Sequence, residues 1–101
     1  MKKIINGKKY DTETATMVGE YWNGYGSEDF NYLVEELYVK KNGEYFLVGK
    51  GGPLTKYVEY YGNNRTYGEE IIPMTLEKAK NWAVKNMDAD SYEEIFGEVE
   101  E

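Results

Sequence analysis

The pair Asn42-Gly43, set between two β-rich runs, constrains this chain more than any other feature. Tyr32 to Lys41 and Glu44 to Gly51 are rich in β-branched and aromatic residues, and Asn-Gly tolerates the positive φ angles of a tight antiparallel connection. A two-residue loop predicts Lys41 opposite Glu44, Lys40 opposite Tyr45 and Val39 opposite Phe46. One face of the ribbon then carries Leu37, Val39, Phe46 and Val48, an apolar patch fit for a core. The other carries Glu36, Tyr38, Lys40, Tyr45 and Leu47, mixed and partly exposed. A slip of one residue would mix the two sets, so the pattern specifies a register. Glu35 falls on the apolar face beside Leu33 and Leu37. It is either paired with a cation or past the edge of the core, and the solvated edge is the expectation.

The flanking segments extend this plan. Asn6-Gly7 lies between the short arms Ile4-Ile5 and Lys8-Lys9-Tyr10, a second hairpin signal. Thr14 to Trp22 reads as a strand, with helix as the competing reading because Ala15, Val18 and Trp22 fall on helical spacing. Asn23-Gly24-Tyr25-Gly26-Ser27 breaks it. Gly51-Gly52-Pro53 ends the central ribbon. Leu54 to Tyr67 predicts a long irregular connection with a helical turn at 56–60 and a turn at Gly62-Asn63-Asn64. Glu69 to Met74 predicts a last strand whose Pro73 marks a strand end or a sheet edge. Thr75 is a helix N-cap, after which Leu76, Ala79, Trp82, Ala83 and Met87 form one stripe. A second short helix, Ser91 to Phe96, has Asp90 as cap, Glu93 closing a capping box and Gly97 as terminator, with Tyr92, Ile95 and Phe96 docking it. The tail 98–101 is charged and frayed. The expected fold is a single α+β domain over 1–101: an antiparallel β-sheet built from hairpins, packed by a C-terminal helix and a second short helix.

Composition narrows the chemistry. The chain has no Cys and no His, which excludes disulfides, thiolate sites, zinc-finger and zinc-hydrolase chemistry and His-assisted nucleophiles. Carboxylate, Tyr and Lys chemistry remains. Lys+Arg of 12 against Asp+Glu of 19 gives a formal net charge of −7, which repels phosphate backbones and favours a basic partner. With 11 Tyr and 16% aromatic residues, amphipathic rings supply either half-buried sheet positions or a contact surface. No apolar stretch approaches the roughly 20 residues of a membrane span. Met1 to Gly7 turns where a secretory signal would run apolar, so a cytoplasmic location is expected.

Candidate reagents do not assemble in this sequence. Gly49-Lys50-Gly51-Gly52 lacks the Gly-x4-Gly-Lys-Ser/Thr spacing and the following helix of a phosphate loop. Glu35-Glu36 and Glu69-Glu70 are neighbours on predicted strands and so point to opposite faces, which rules each pair out as a two-carboxylate device. A metal site needs several converging oxygen ligands, which Asp11, Asp29 or these glutamates could supply only by chance of folding. We therefore expect no catalytic residue, no metal and no cofactor.

Several motifs together carry a resemblance: Tyr10-Asp11-Thr12-Glu13-Thr14-Ala15, then Leu37-Tyr38-x-x-Lys41-x-Gly43-x-Tyr45-Phe46-Leu47 leading to Gly51-Gly52, then Gly62-Asn63, Ile72-Pro73-x-Thr75 and Ala79-x-x-Trp82. This series, covering most of the chain, resembles a widespread family of small proteins of plasmids and phages. Some of its members are anti-CRISPR proteins that inhibit the type II-A RNA-guided effector nuclease. The motifs are turn glycines, strand aromatics and a helix cap, and they mark the fold more than the activity. Arg65-Thr66-Tyr67 departs from the pattern, where relatives carry a tryptophan. The resemblance implies a non-enzymatic inhibitor that binds the effector or its guide-RNA complex and interferes with guide-RNA assembly. No functional residue transfers with it. On edges and loops, the expected partner-binding side chains are Glu28, Asp29, Glu36, Glu69 and Glu70, with Tyr60, Tyr61 and Tyr67 as aromatic anchors. The alternative is a regulatory or structural accessory protein of a phage or plasmid without CRISPR function, in which a homo-oligomer is possible.

Overall fold

The structure, a computed structural model covering residues 1–101, begins with a hairpin of β1 (Lys2–Ile5) and β2 (Lys8–Asp11). Ile5 pairs with Lys8 across the two-residue turn, whose Asn6 and Gly7 both take positive φ, 51° and 76°. Next come β3 (Thr16–Trp22), β4 (Leu33–Val39) and β5 (Tyr45–Gly51), a small hairpin of β6 (Glu59–Tyr61) and β7 (Asn64–Thr66), then β8 (Gly68–Met74). Two helices close the chain, α1 (Leu76–Asn86) and α2 (Ala89–Phe96). The central sheet is antiparallel with order β3-β4-β5-β8, so the fold is α+β with hairpin-built sheets and C-terminal helices. Thr14 to Trp22 resolves in favour of strand, and Pro73 sits on the edge strand β8, where its missing N–H costs no ladder bond. No helix is long and apolar enough to cross a membrane.

The register of the central hairpin differs from expectation by one residue. Val39 pairs with Tyr45, Tyr38 with Phe46 and Leu37 with Leu47. The loop is closed by Lys40 and Glu44, whose backbones bond at 2.8 Å, and it holds three residues, with Gly43 at φ 89°. Gly43 N–H also donates to the Lys40 carbonyl at 2.9 Å, and Asn42 Oδ1 accepts from Glu44 N–H at 3.0 Å. This is a turn followed by a left-handed bulge residue, which only glycine occupies without steric cost. The added residue moves Leu37 and Leu47 to one face and Phe46 and Val48 to the other.

Both faces of that sheet are therefore buried in part. On one side Leu37, Leu47, Ala79, Trp82 and Ala83 form a cluster beneath the helices. On the other, Tyr10 of the first hairpin closes over Phe46, Val48 and Ile71. Phe46 stacks on Tyr38 with ring centroids 5.2 Å apart and meets the edge of Tyr10 at 5.5 Å. Such pairs each contribute about 0.5–1.5 kcal/mol beyond the area they bury. Glu44 ties the two hairpins together, accepting from Lys8 at 2.6 Å and from Lys40 at 3.1 Å.

The helices follow from local signals. Thr75 Oγ1 accepts from Lys78 N–H at 3.1 Å, the expected cap. Thr75→Ala should cost about 1 kcal/mol, read as a lowered urea midpoint with an unchanged slope. Ala79, Trp82 and Ala83 are buried as the stripe predicts, while Leu76 at its start is exposed. The second helix begins earlier than expected. Its cap is Asp88, accepting from Ser91 N–H at 2.8 Å, and Asp90 lies within the first turn, where its charge still favours the helix N-terminus. Gly97 ends it at φ 94°, and Tyr92 and Phe96 pack on the helix-side cluster.

Candidate docking surface

Antiparallel pairing sorts the side chains of the central sheet into rows. Tyr21, Glu35, Gly49 and Glu70 form one row on the helix side; Trp22, Val34, Lys50 and Glu69 form the corresponding row on the opposite face. One row further, Leu33, Gly51 and Gly68 close the sheet, and three loop segments gather at that end. Asn23 anchors the first, donating to Asn31 O at 2.7 Å and accepting from Leu33 N–H at 3.2 Å. The second is joined to it by Gly52 N–H to Tyr32 O at 2.9 Å and Leu54 N–H to Phe30 O at 3.0 Å. The third is the β6–β7 hairpin. It replaces the irregular connection and helical turn expected for this stretch, with Gly62-Asn63 at its tip. Tyr67, just beyond it, donates its hydroxyl to Glu28 O.

One buried carboxylate holds this end together. Glu35, expected at a solvated edge, is only 5% exposed. It accepts from Trp82 Nε1 at 2.9 Å, from Lys56 Nζ at 2.9 Å and from the Tyr57 hydroxyl. Burial pushes its carboxyl up, but the hydrogen bonds from Lys56, Tyr57 and Trp82 and the Lys56 charge outweigh that and hold it below the usual carboxylate range. Burial and then the Glu35 bond push the Tyr57 hydroxyl far up, so it remains a proton donor. Tyr57 reaches Glu35 by lying across Gly49, where any Cβ would strike the Tyr57 ring. Gly49→Ala should therefore displace Tyr57 and cost about 1–3 kcal/mol. A urea melt reads the loss, and NMR should show Tyr57 and the β6–β7 hairpin moving together.

The open face has a different character. The first hairpin covers Tyr38, Phe46, Val48 and Ile71 but leaves the outer part of the sheet uncovered. Two adjoining clefts lie there, sharing Tyr32 and Lys50. One, of about 320 Å³, is bounded by Glu59, Tyr67 and Glu69; the other, of about 300 Å³, by Glu20, Trp22, Tyr25 and Glu36. Trp22 is 56% exposed and donates its indole N–H to Tyr25 O at 2.6 Å, which holds the ring at the cleft wall. Lys50 is the one cation in either lining, and it is drawn to Glu36 at 3.8 Å. Burial, then the charges of Glu36 and Glu20, push the neighbouring Tyr38 hydroxyl up, as expected beside a negative surface.

The eight expected binding residues divide accordingly. Glu36, Glu69 and Tyr67 line the open face, and Glu28 adjoins it through Tyr67. Asp29 is exposed nearby, but its carboxylate accepts from Asn31 N–H at 2.7 Å and serves the loop. Glu70 falls on the helix side, as the alternation along β8 dictates. Tyr60 and Tyr61, 65% and 84% exposed, project from the β6–β7 hairpin without lining either cleft. Sequence reasoning missed Glu20, Trp22, Tyr25, Tyr32, Lys50 and Glu59. The alternation Glu20-Tyr21-Trp22 was the available signal, since it places Glu20 and Trp22 on one face of a strand. No group of three or more Asp or Glu side chains converges in a metal-ligand arrangement. No protein-family model, curated protein or solved structure matches the chain.

Proposed function

We propose that this chain is a non-catalytic, anti-CRISPR inhibitor of a type II RNA-guided DNA nuclease, and that it docks its open sheet face on a basic surface of the effector that guide RNA would otherwise occupy. The carrying observation is the face lined by Trp22, Tyr25, Tyr32 and Tyr67 with Glu20, Glu36, Glu59 and Glu69 around a single lysine. Rings of this kind give contact area at low entropic cost and stack on guanidinium groups, while the carboxylates match a surface built to hold phosphates. Effectors of this class carry guide and heteroduplex in positively charged channels. The motif series from Tyr10 to Trp82 supports the choice of target, since it resembles a family that contains such inhibitors.

Purified protein added to the effector before guide RNA should suppress target cleavage, and should do so less when added after it. No suppression at large molar excess would overturn the reading. Guide RNA should remain full length on a gel, because the face presents rings and carboxylates and no nucleophile or metal-ligand set; shortened guide would mean that a nuclease step has been recruited. Raising salt should weaken the effect, since exposed charges are screened over roughly 8 Å at physiological ionic strength. The unpaired outer edge of β3 favours one other reading, an oligomeric accessory protein of a phage or plasmid. Light scattering on the eluted peak separates the two, a stable oligomer without cleavage inhibition supporting the accessory protein.

A further inference from the structure

The helix side of the sheet holds a second concavity, of about 730 Å³, whose charge is opposite to that of the open face. Three lysines line it: Lys56 from the segment after β5, and Lys78 and Lys85 from α1. Its single carboxylate, Glu35, forms part of the floor and is already saturated by Lys56, Tyr57 and Trp82. Lys78, Asn81 and Lys85 are spaced to share one side of α1, with about 10.5 Å of helix rise between the two lysines. None of the three side chains has a hydrogen-bond partner in the molecule, and the four ion pairs use Lys8, Lys40, Lys50 and Lys56 only. Across the groove, the Lys56 side chain is 65% exposed, so its ammonium keeps donors free for a ligand after bonding Glu35. The helix dipole accounts for Lys85, in the last turn, but it opposes a cation at Lys78, the third residue of α1. A cation held against the dipole, beside an uncompensated one and facing a third, is the arrangement of an anion site.

We propose that this groove binds a small phosphorylated ligand carrying at least two anionic groups, such as a diphosphate. Lys56, Lys78 and Lys85 neutralise it and the free Asn81 amide orients it. The volume is that of a small-molecule site, and lysine is a habitual phosphate partner acting as a mobile point charge. The groove lies on the face away from the acidic surface, so the proposal stands independently of the function proposed above.

The two tryptophans make the test direct. Trp82 presents its indole to the floor of the groove through Glu35, whereas the Trp22 indole is bonded to Tyr25 O on the opposite face. Titration of ¹⁵N-labelled protein with inorganic pyrophosphate, and separately with ADP, should shift the Trp82 indole and Asn81 amide signals saturably below roughly 10 mM and leave the Trp22 indole in place. Tighter binding of ADP would assign the site to nucleotides, and equal binding to bare phosphoryl groups. The double variant Lys78→Gln, Lys85→Gln should weaken binding at least tenfold. Lys80→Gln, which removes a charge beside the Phe96 ring, should leave it unchanged. Absence of a saturable shift, equal movement of both indoles, or equal weakening by the Lys80 variant would overturn the proposal, the last two by showing diffuse attraction to the whole surface.

Discussion

Replacing Glu35 with alanine should lower the free energy of unfolding by about 3–5 kcal/mol, the range for removing one partner from a buried charged cluster. The substitution leaves the Trp82 indole N–H and the Tyr57 hydroxyl, both buried, without their acceptor. It also frees Lys56, which is largely exposed and returns to water at little cost. The loss thus comes from two stranded donors and a cavity under α1 more than from the ion pair itself. Glu35→Gln should fall between wild type and alanine, because its amide oxygen can still accept from one donor. A urea midpoint shift under half that expected for alanine would show that water repairs the site.

The same residue sets an acid limit. Glu35 has a folded pKa below its unfolded value near 4.5, so the native state resists protonation. Its charge-dependent stabilisation is fully present above the unfolded pKa and is lost as pH falls through the folded one. The difference between wild type and Glu35→Gln should accordingly be constant from pH 7 down to about 5 and shrink below that. A gap that stays constant into strong acid would mean that the carboxylate contributes only as a hydrogen-bond acceptor.

Most local signals in this chain were legible, the α2 cap at Asp88 and the length of the Asn42-Gly43 loop excepted, and non-local ones were not. Asn6-Gly7, the Thr75 cap, the Ala79-Trp82-Ala83 stripe and the Gly97 terminator each act within a few residues, and each stands where the sequence places it. The central register was illegible because Phe46, Leu47 and Val48 are all buried, so alternation cannot say which face each one takes. The choice then rested on loop length, and a single bulge residue at Gly43 reversed it. Glu35 shows the same limit more sharply. Its partners Tyr57 and Trp82 lie 22 and 47 positions away, and a lone glutamate among leucines looks like an edge until the fold brings those donors over it. The β6–β7 strands, three residues each and exposed throughout, carry no apolar period to announce them. Glu69 and Glu70, both expected to bind as exposed edge residues, are split between the two faces by the alternation along β8, and Trp22 went unnoticed because the strand reading of Thr14 to Trp22 left open which of its side chains face solvent.

Reversing three exposed carboxylates of the open face and its rim, with Glu20→Lys, Glu28→Lys and Glu69→Lys together, should raise the concentration that halves target cleavage by about 100-fold, or about 2.7 kcal/mol of docking energy. Each reversal adds two charges, so the net charge moves from −7 by +6 to −1. Because all three residues are exposed, unfolding should change by under about 0.5 kcal/mol, which separates lost docking from lost fold. A matched control places the same charge elsewhere: Glu94→Lys, Glu98→Lys and Glu100→Lys, also exposed, act at α2 and the tail. If docking uses the open face, the control retains inhibition within a few-fold and keeps the wild-type salt dependence, whereas the face variant loses both. Equal loss in the two variants would show that overall negative charge is responsible, with the arrangement of Trp22, Tyr25 and Tyr67 among the carboxylates contributing nothing. Trp22→Ala sharpens the distinction, since it removes contact area without altering charge: a fall in affinity with an unchanged salt slope locates the ring inside the interface, where desolvation strengthens each neighbouring carboxylate's interaction with a basic partner.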